Sequence, residues 1–158
     1  MKRHMIPMTM SFLTVVIILL PASVFGQSTS GLTGAGAGAF PGSTTFSGVS
    51  VSGLQFGMGV FTPGDTTATG QFQGTLLGTS ALGQPQNIEI QGDAASGAIN
   101  TDGSRTFSGT ATVDMGDGSP ALINVPFTAT ATATSLLLAI ENTNLPAVPL
   151  GAGTIAIQ

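Results

Sequence analysis

Cysteine, tryptophan and tyrosine are absent from this chain, and histidine occurs once, at His4. Without cysteine no disulfide can brace the fold, so the domain must stand on buried apolar surface alone. The missing thiols, and a lone imidazole at the extreme N-terminus, remove the usual ligands for zinc, copper and iron. A serine nucleophile has no histidine base once His4 is set aside. Basic charge is nearly as scarce: Lys2, Arg3 and Arg105 are all of it.

Those first cations belong to a recognisable pattern. Met1-Lys2-Arg3-His4 heads an apolar run from Met8 to Leu20, broken only by Thr9, Ser11 and Thr14. Pro21-Ala22-Ser23 opens a polar exit, and Val24-Phe25-Gly26 places compact residues where a signal peptidase reads. A basic head, an apolar core and a small-residue exit predict a signal peptide over 1–26, cut before Gln27. The apolar run falls short of the roughly 20 residues that span a bilayer. The expected product is secreted, periplasmic or extracellular, with no integral membrane span after processing. No cysteine follows the run, so a lipid-anchored form is not expected.

Processing would leave Arg105 as the single cation against Asp65, Glu89, Asp93, Asp102, Asp114, Asp117 and Glu141, one positive charge against seven negative, or −6. Nucleic-acid affinity comes chiefly from Lys and Arg on phosphates, so no nucleic-acid partner is expected. Docking on anionic lipid is disfavoured for the same reason. A chain that is 42% hydrophobic, with those residues in alternation, is expected to fold rather than remain disordered.

Residues 27–43, QSTSGLTGAGAGAFPGS, are nearly all small, and their composition predicts a flexible linker. A single β-domain is expected over 44–158. Its clearest stretch is Arg105 to Thr134, two alternating strands joined at Gly116-Asp117-Gly118-Ser119-Pro120. Phe107, Val113, Ile123, Val125 and Phe127 fall on the inner faces, with Thr110, Thr128, Thr130 and Thr132 outside. Asn87-Ile88-Glu89-Ile90-Gln91 alternates as cleanly, and Asp102-Gly103 between two such runs signals a hairpin with φ > 0 at both central residues. The apolar set changes parity at Gly48, which predicts a bulge there. Ser135 to Ile140 is apolar throughout and predicts a strand buried on both faces, followed by a loop over 142–153. Eight to ten short strands argue for an all-β, antiparallel β-sandwich, with a small closed β-barrel as the alternative. Aromatic girdles of an outer-membrane barrel are lacking. Phe-x-Gly recurs at Phe46-Ser47-Gly48, Phe72-Gln73-Gly74 and Phe107-Ser108-Gly109, where Gly leaves room beside each ring at equivalent strand starts.

Candidate chemistry is sparse. Only oxygen ligands remain for a metal, which points to Ca²⁺, and Asp114 with Asp117 are the residues that would hold it. Asp and Gly in Asp114-Met115-Gly116-Asp117-Gly118 are equally what a tight turn uses. No other cofactor is implied. Glu89 with Glu141 or an aspartate could form the carboxylate pair of a hydrolase, though without Trp or Tyr to stack a sugar. The row Thr128, Thr130, Thr132, Thr134 resembles the ice-contacting face of some antifreeze proteins, over fewer than ten residues and without their repeated coil. The strands Phe107-Ser108-Gly109-Thr110 and Gly153-Thr154-Ile155-Ala156-Ile157 are similar to those of small secreted bacterial β-modules. The expectation is therefore a secreted, non-enzymatic β-module with a structural or surface-interaction role. The alternatives are a small-ligand or Ca²⁺-binding barrel and a carboxylate-dependent hydrolase.

Overall fold

The structure, a computed structural model, describes residues 30–63 and 66–158. The expected signal peptide and its cleavage point lie outside the described residues, as do Gly64 and Asp65. The described residues form ten strands: β1 (Ser30–Phe46), β2 (Val49–Thr62), β3 (Thr67–Thr79), β4 (Ile88–Ile99), β5 (Arg105–Asp114), β6 (Leu122–Ala131), β7 (Ser135–Ile140), β8 (Thr143–Asn144), β9 (Val148–Pro149) and β10 (Ala152–Ile157). No helix occurs among the described residues, so none is long and apolar enough to cross a membrane.

Every ladder is antiparallel. From β1 to β8 each strand pairs with the next, and β10 returns to pair with β1. This meander follows from the alternation. In β2, Val49, Val51, Leu54, Phe56, Met58 and Val60 are buried while Ser50, Gln55 and Phe61 are exposed. In β4, Ile88 and Ile90 are buried between the exposed Glu89 and Gln91. A strand shows opposite faces at alternate residues, so each presents one apolar side to a common interior.

The sheet folds over so that strands without a shared ladder meet. Phe72 of β3 lies with its ring centroid 6.2 Å from Phe107 of β5 and 5.8 Å from Phe127 of β6, and Phe107 meets Phe127 edge-on at 6.0 Å. Arg105 Nε of β5 donates to Ser30 Oγ of β1 at 3.1 Å. Inner faces thus oppose one another across one core, as in a β-sandwich. Among the described residues the ladders do not run round into a closed barrel, because β8 and β10, the two ends of the path, do not pair with each other. Instead the last segment links the two ends. β9 pairs with β7, Leu150 N–H donates to Thr134 O, Gly151 N–H donates to Ala37 O, both at 2.9 Å, and β10 then runs along β1.

The largest correction concerns residues 27–43. Ser30 to Ser43 are part of strand β1, not a linker, and the β-domain includes them. Glycines conceal the alternation there, because Gly34, Gly36 and Gly38 occupy the inward positions. A Cβ on Gly36 would lie 3.2 Å from Phe56 Cζ and 3.1 Å from Leu150 Cδ2. On Gly38 it would overlap the Pro149 carbonyl oxygen and lie 2.6 Å from Val148 Cγ1. Side chains from β2 and the last segment fill the space that these residues leave empty.

Smaller corrections follow from turns and bulges. Ile123 is 71% exposed rather than buried, and Val125 is half-buried. The β5–β6 register shifts between Ala111↔Val125 and Val113↔Leu122, and Asn124 at φ 57° turns Ile123 outward. Ser47 (φ 47°) and Gly48 (φ 84°) form a two-residue turn from β1 to β2, not a bulge within one strand. At Thr101 to Ser104 only Gly103 has φ > 0, because Gly103 N–H donates to Asn100 O and Asn100 N–H to Ser104 O in a three-residue hairpin loop. β7 is buried on one face only: Leu136, Leu138 and Ile140 point in, while Leu137 is 42% exposed. The expected loop over 142–153 contains β8, β9 and the start of β10. The three Phe-x-Gly units are not equivalent: Gly48 makes a turn, Gly74 lies beside the Phe72 ring, and Gly109 packs against the Asp93 carbonyl.

Candidate functional site

The interior leaves little for a ligand. Phe72, Phe107 and Phe127 are 0%, 1% and 2% exposed, and their mutual ring contacts occupy the space beside the Phe-x-Gly faces of β3 and β5. A small-ligand site lined by those faces has no room among these residues.

A broad concavity lies outside, on the outer face of β1 to β4. It is a groove of about 520 Å³ whose lining includes Ala35, Ala37, Gln55, Gln73, Gln91 and Glu89. Register explains its shape. One row across the sheet reads Ala35, Gly57, Gln73, Gln91, Thr112, and the next reads Ala37, Gln55, Thr75, Glu89, Asp114. Ala35, Ala37, Gly57 and Gly59 are small and make a low platform, and Gln55, Gln73 and Gln91 carry amides, which form its wall. Gln55, Gln71, Gln73 and Gln91 are exposed, and among the described residues their side-chain amides make no hydrogen bond within the protein. Each offers donors and an acceptor outward.

Glycine on the platform is not imposed by packing. A Cβ added at Gly57 or Gly59 would meet nothing within 4 Å, and neither residue has a positive φ. Glycine in a strand interior costs about 0.5–1 kcal/mol relative to alanine, so the fold carries a small penalty for keeping this face bare.

Asp114 and Asp117 are placed by turn chemistry. Gly116 N–H donates to Asp114 Oδ1 at 2.9 Å, and Ser119 N–H donates to Asp117 Oδ1 at 2.9 Å. The hydrogen bonds from Ser119 hold the Asp117 carboxyl below the ordinary aspartate range. Asp102 behaves alike, its carboxyl lowered by the Ser104 hydroxyl at 2.6 Å and then by the Ser104 N–H at 2.9 Å. Among the described residues no three acidic, histidine or cysteine side chains converge on one point. A Ca²⁺ ion would have to share Asp114 and Asp117 with those backbone donors.

Glu89 stands opposite Asp114 across the β4–β5 ladder, and Glu141 occupies the turn after β7. All three are exposed. Glu89 and Asp114 line one small concavity of about 160 Å³ together, and Glu89 also lines the groove, whereas Glu141 lines neither. The threonine row is partly spent on the protein itself. Thr130 and Thr132 are half-buried, Thr106 Oγ1 and Thr130 Oγ1 share a hydrogen bond at 2.9 Å, and Thr132 Oγ1 bonds with Ser135 Oγ at 2.8 Å.

The chain matches no family model, no curated protein and no solved structure. Composition singled out neither the outer face of β1 to β4 nor Ser30, whose hydroxyl donates to Gln158 O at 2.6 Å and accepts from Arg105. The pattern Gln71-Phe72-Gln73 with Gln55 and Gln91 was the available signal: amides at alternate positions all point one way.

Proposed function

We propose that the protein is an exported, non-enzymatic interaction module whose working surface is the outer face of β1 to β4. The partner that suits it is uncharged, extended and rich in hydroxyl or amide groups. The observation that carries this reading is the bare platform at Gly57 and Gly59, in open space beside unengaged glutamines. A flat partner can approach such a backbone closely, and amides at strand spacing can hydrogen-bond to successive groups along it. Negative charge on the domain disfavours polyanions, while a neutral polysaccharide or an extended peptide pays no such penalty. Export before Gln27 accounts for the basic head and apolar run of the sequence.

The test is retention of the folded domain on arrays of neutral glycans and extended peptides. Gly57→Arg places a long side chain over the platform without contacting the core, and it should abolish retention while leaving the melting temperature nearly unchanged. Thr128→Ala, on the outer face of β6, should bind as the parent does. Equal binding by the parent and Gly57→Arg would overturn the assignment of the face. Turnover of any offered polymer would overturn the non-enzymatic reading.

A further inference from the structure

The two ends of the sheet are finished differently. At β7 the far edge is covered by the chain itself: Thr143–Asn144 and Val148–Pro149 pair with it, and Leu145 N–H donates to Leu138 O. The covering segment carries Pro146 and Pro149, which cannot donate outward. At the other end, among the described residues, β10 pairs with β1 alone. Its sequence, Ala152-Gly153-Thr154-Ile155-Ala156-Ile157, has no charge and no proline, the devices that usually protect an open edge. The positive φ of Gly153 (97°) lies upstream of both isoleucines.

Register fixes which groups face out. Gln158 N–H donates to Gly31 O. Hydrogen-bonded and non-hydrogen-bonded pairs alternate along an antiparallel ladder, so Ala156 and Thr154 bond back to Thr33 and Ala35. The N–H and C=O groups of Ile155 and Ile157 therefore point away from β1. A row of outward N–H and C=O groups at strand spacing is chemically specific: it takes another strand.

We propose that this edge pairs with the same edge of a second copy, β10 against β10, in an antiparallel two-fold arrangement. Such pairing is self-complementary, because Ile155 can exchange both backbone bonds with its own counterpart, with Ile157 and Gly153 opposite one another on either side. Charge favours this edge over other surfaces. Residues 27–158 carry six more negative side chains than positive ones, which opposes most contacts between copies, but 152–157 bring no charge to the seam. Thr154 and Ala156 project on the same side of the sheet as Ala35 and Ala37, so pairing makes the bare platforms of two copies continuous. The pairing itself stands independently of what that platform binds.

Light scattering and sedimentation of the folded domain over a concentration series give the test. A concentration-dependent dimer is expected. Ile157→Pro deletes an outward N–H while leaving the bonds to β1 in place, and it should raise the dimer dissociation constant about tenfold or more, the 1.4 kcal/mol scale of one or two net backbone bonds. Ala156→Lys, at an exposed position, should do the same by bringing two cations onto one face of the seam as diagonal neighbours, with no demand on the backbone. In amide exchange, Ile155 and Ile157 should gain protection as concentration rises. A monomer at every concentration, or a dimer unaffected by Ala156→Lys in a folded variant, would overturn the proposal. Loss of polymer binding in Gly57→Arg with the dimer intact separates this seam from the platform.

Discussion

Strand β1 turns Gly34, Gly36 and Gly38 toward the interior, where β3, β5 and β6 turn Phe72, Phe107 and Phe127. Both regions lie against the same core, and they fill it by opposite means. Three rings with centroids about 6 Å apart supply apolar volume directly. The glycines supply none, and their contribution is clearance, since Phe56, Leu150, Val148 and Ile155 come in close above them. The difference teaches that apolar content alone does not mark a core strand. A position can be indispensable to packing because it has no side chain.

Three substitutions sharpen that contrast, from the greatest effect to the least. Phe127→Ala removes a ring 2% exposed and should cost about 3–5 kcal/mol, a large share of the roughly 5–15 kcal/mol that holds a domain together. Urea melts would show the midpoint collapse; a loss below about 1 kcal/mol would mean that the rings are not the centre of the core. Gly38→Ala adds one methyl where a backbone oxygen already sits, and overpacking of this kind typically costs about 1–3 kcal/mol. Its mark is local: amides of Leu150 and Gly151 should exchange faster, because the last segment must move to admit the methyl. Gly57→Ala has the opposite sign. The site is open and its φ is ordinary, so lower entropy of the unfolded chain should stabilise the domain by about 0.4–1 kcal/mol. If thermal melts show Gly38→Ala and Gly57→Ala to be equally harmless, clearance above β1 is not what those glycines provide.

Sequence patterning was a good guide wherever a side chain reported the pleat. The buried Ile88 and Ile90 between Glu89 and Gln91 were legible from alternation, as were Phe107, Val113 and Phe127. β1 was not, because Gly-Ala repeats give no hydrophobic contrast between faces even when one face is fully packed. Ile123 was misplaced for a different reason: a bulge moves the register by one residue, and nothing in Leu122-Ile123-Asn124-Val125 shows where the extra residue falls. The turn residues Asp102, Asp114 and Asp117 were legible as turn formers, with carboxylates bonded to N–H groups two residues on. The platform could not be seen in one dimension, since its rows join residues from five strands.

The joining of β10 to β1 also has a bearing on how the chain reaches this state. Strands β1 to β8 form a succession of neighbours in sequence, so each hairpin can zip from its own turn. The final ladder has no such shortcut, for Ser30 and Gln158 are 128 positions apart when their hydrogen bond forms. Closing a loop on that scale in an otherwise unordered chain costs about 4 kcal/mol of entropy. The meander must therefore assemble first and bring the two ends within reach, which makes docking of the last segment a late event and the rate of folding a property of topology more than of stability. Until that event the inner face of β1, lined with glycine, stays open to water.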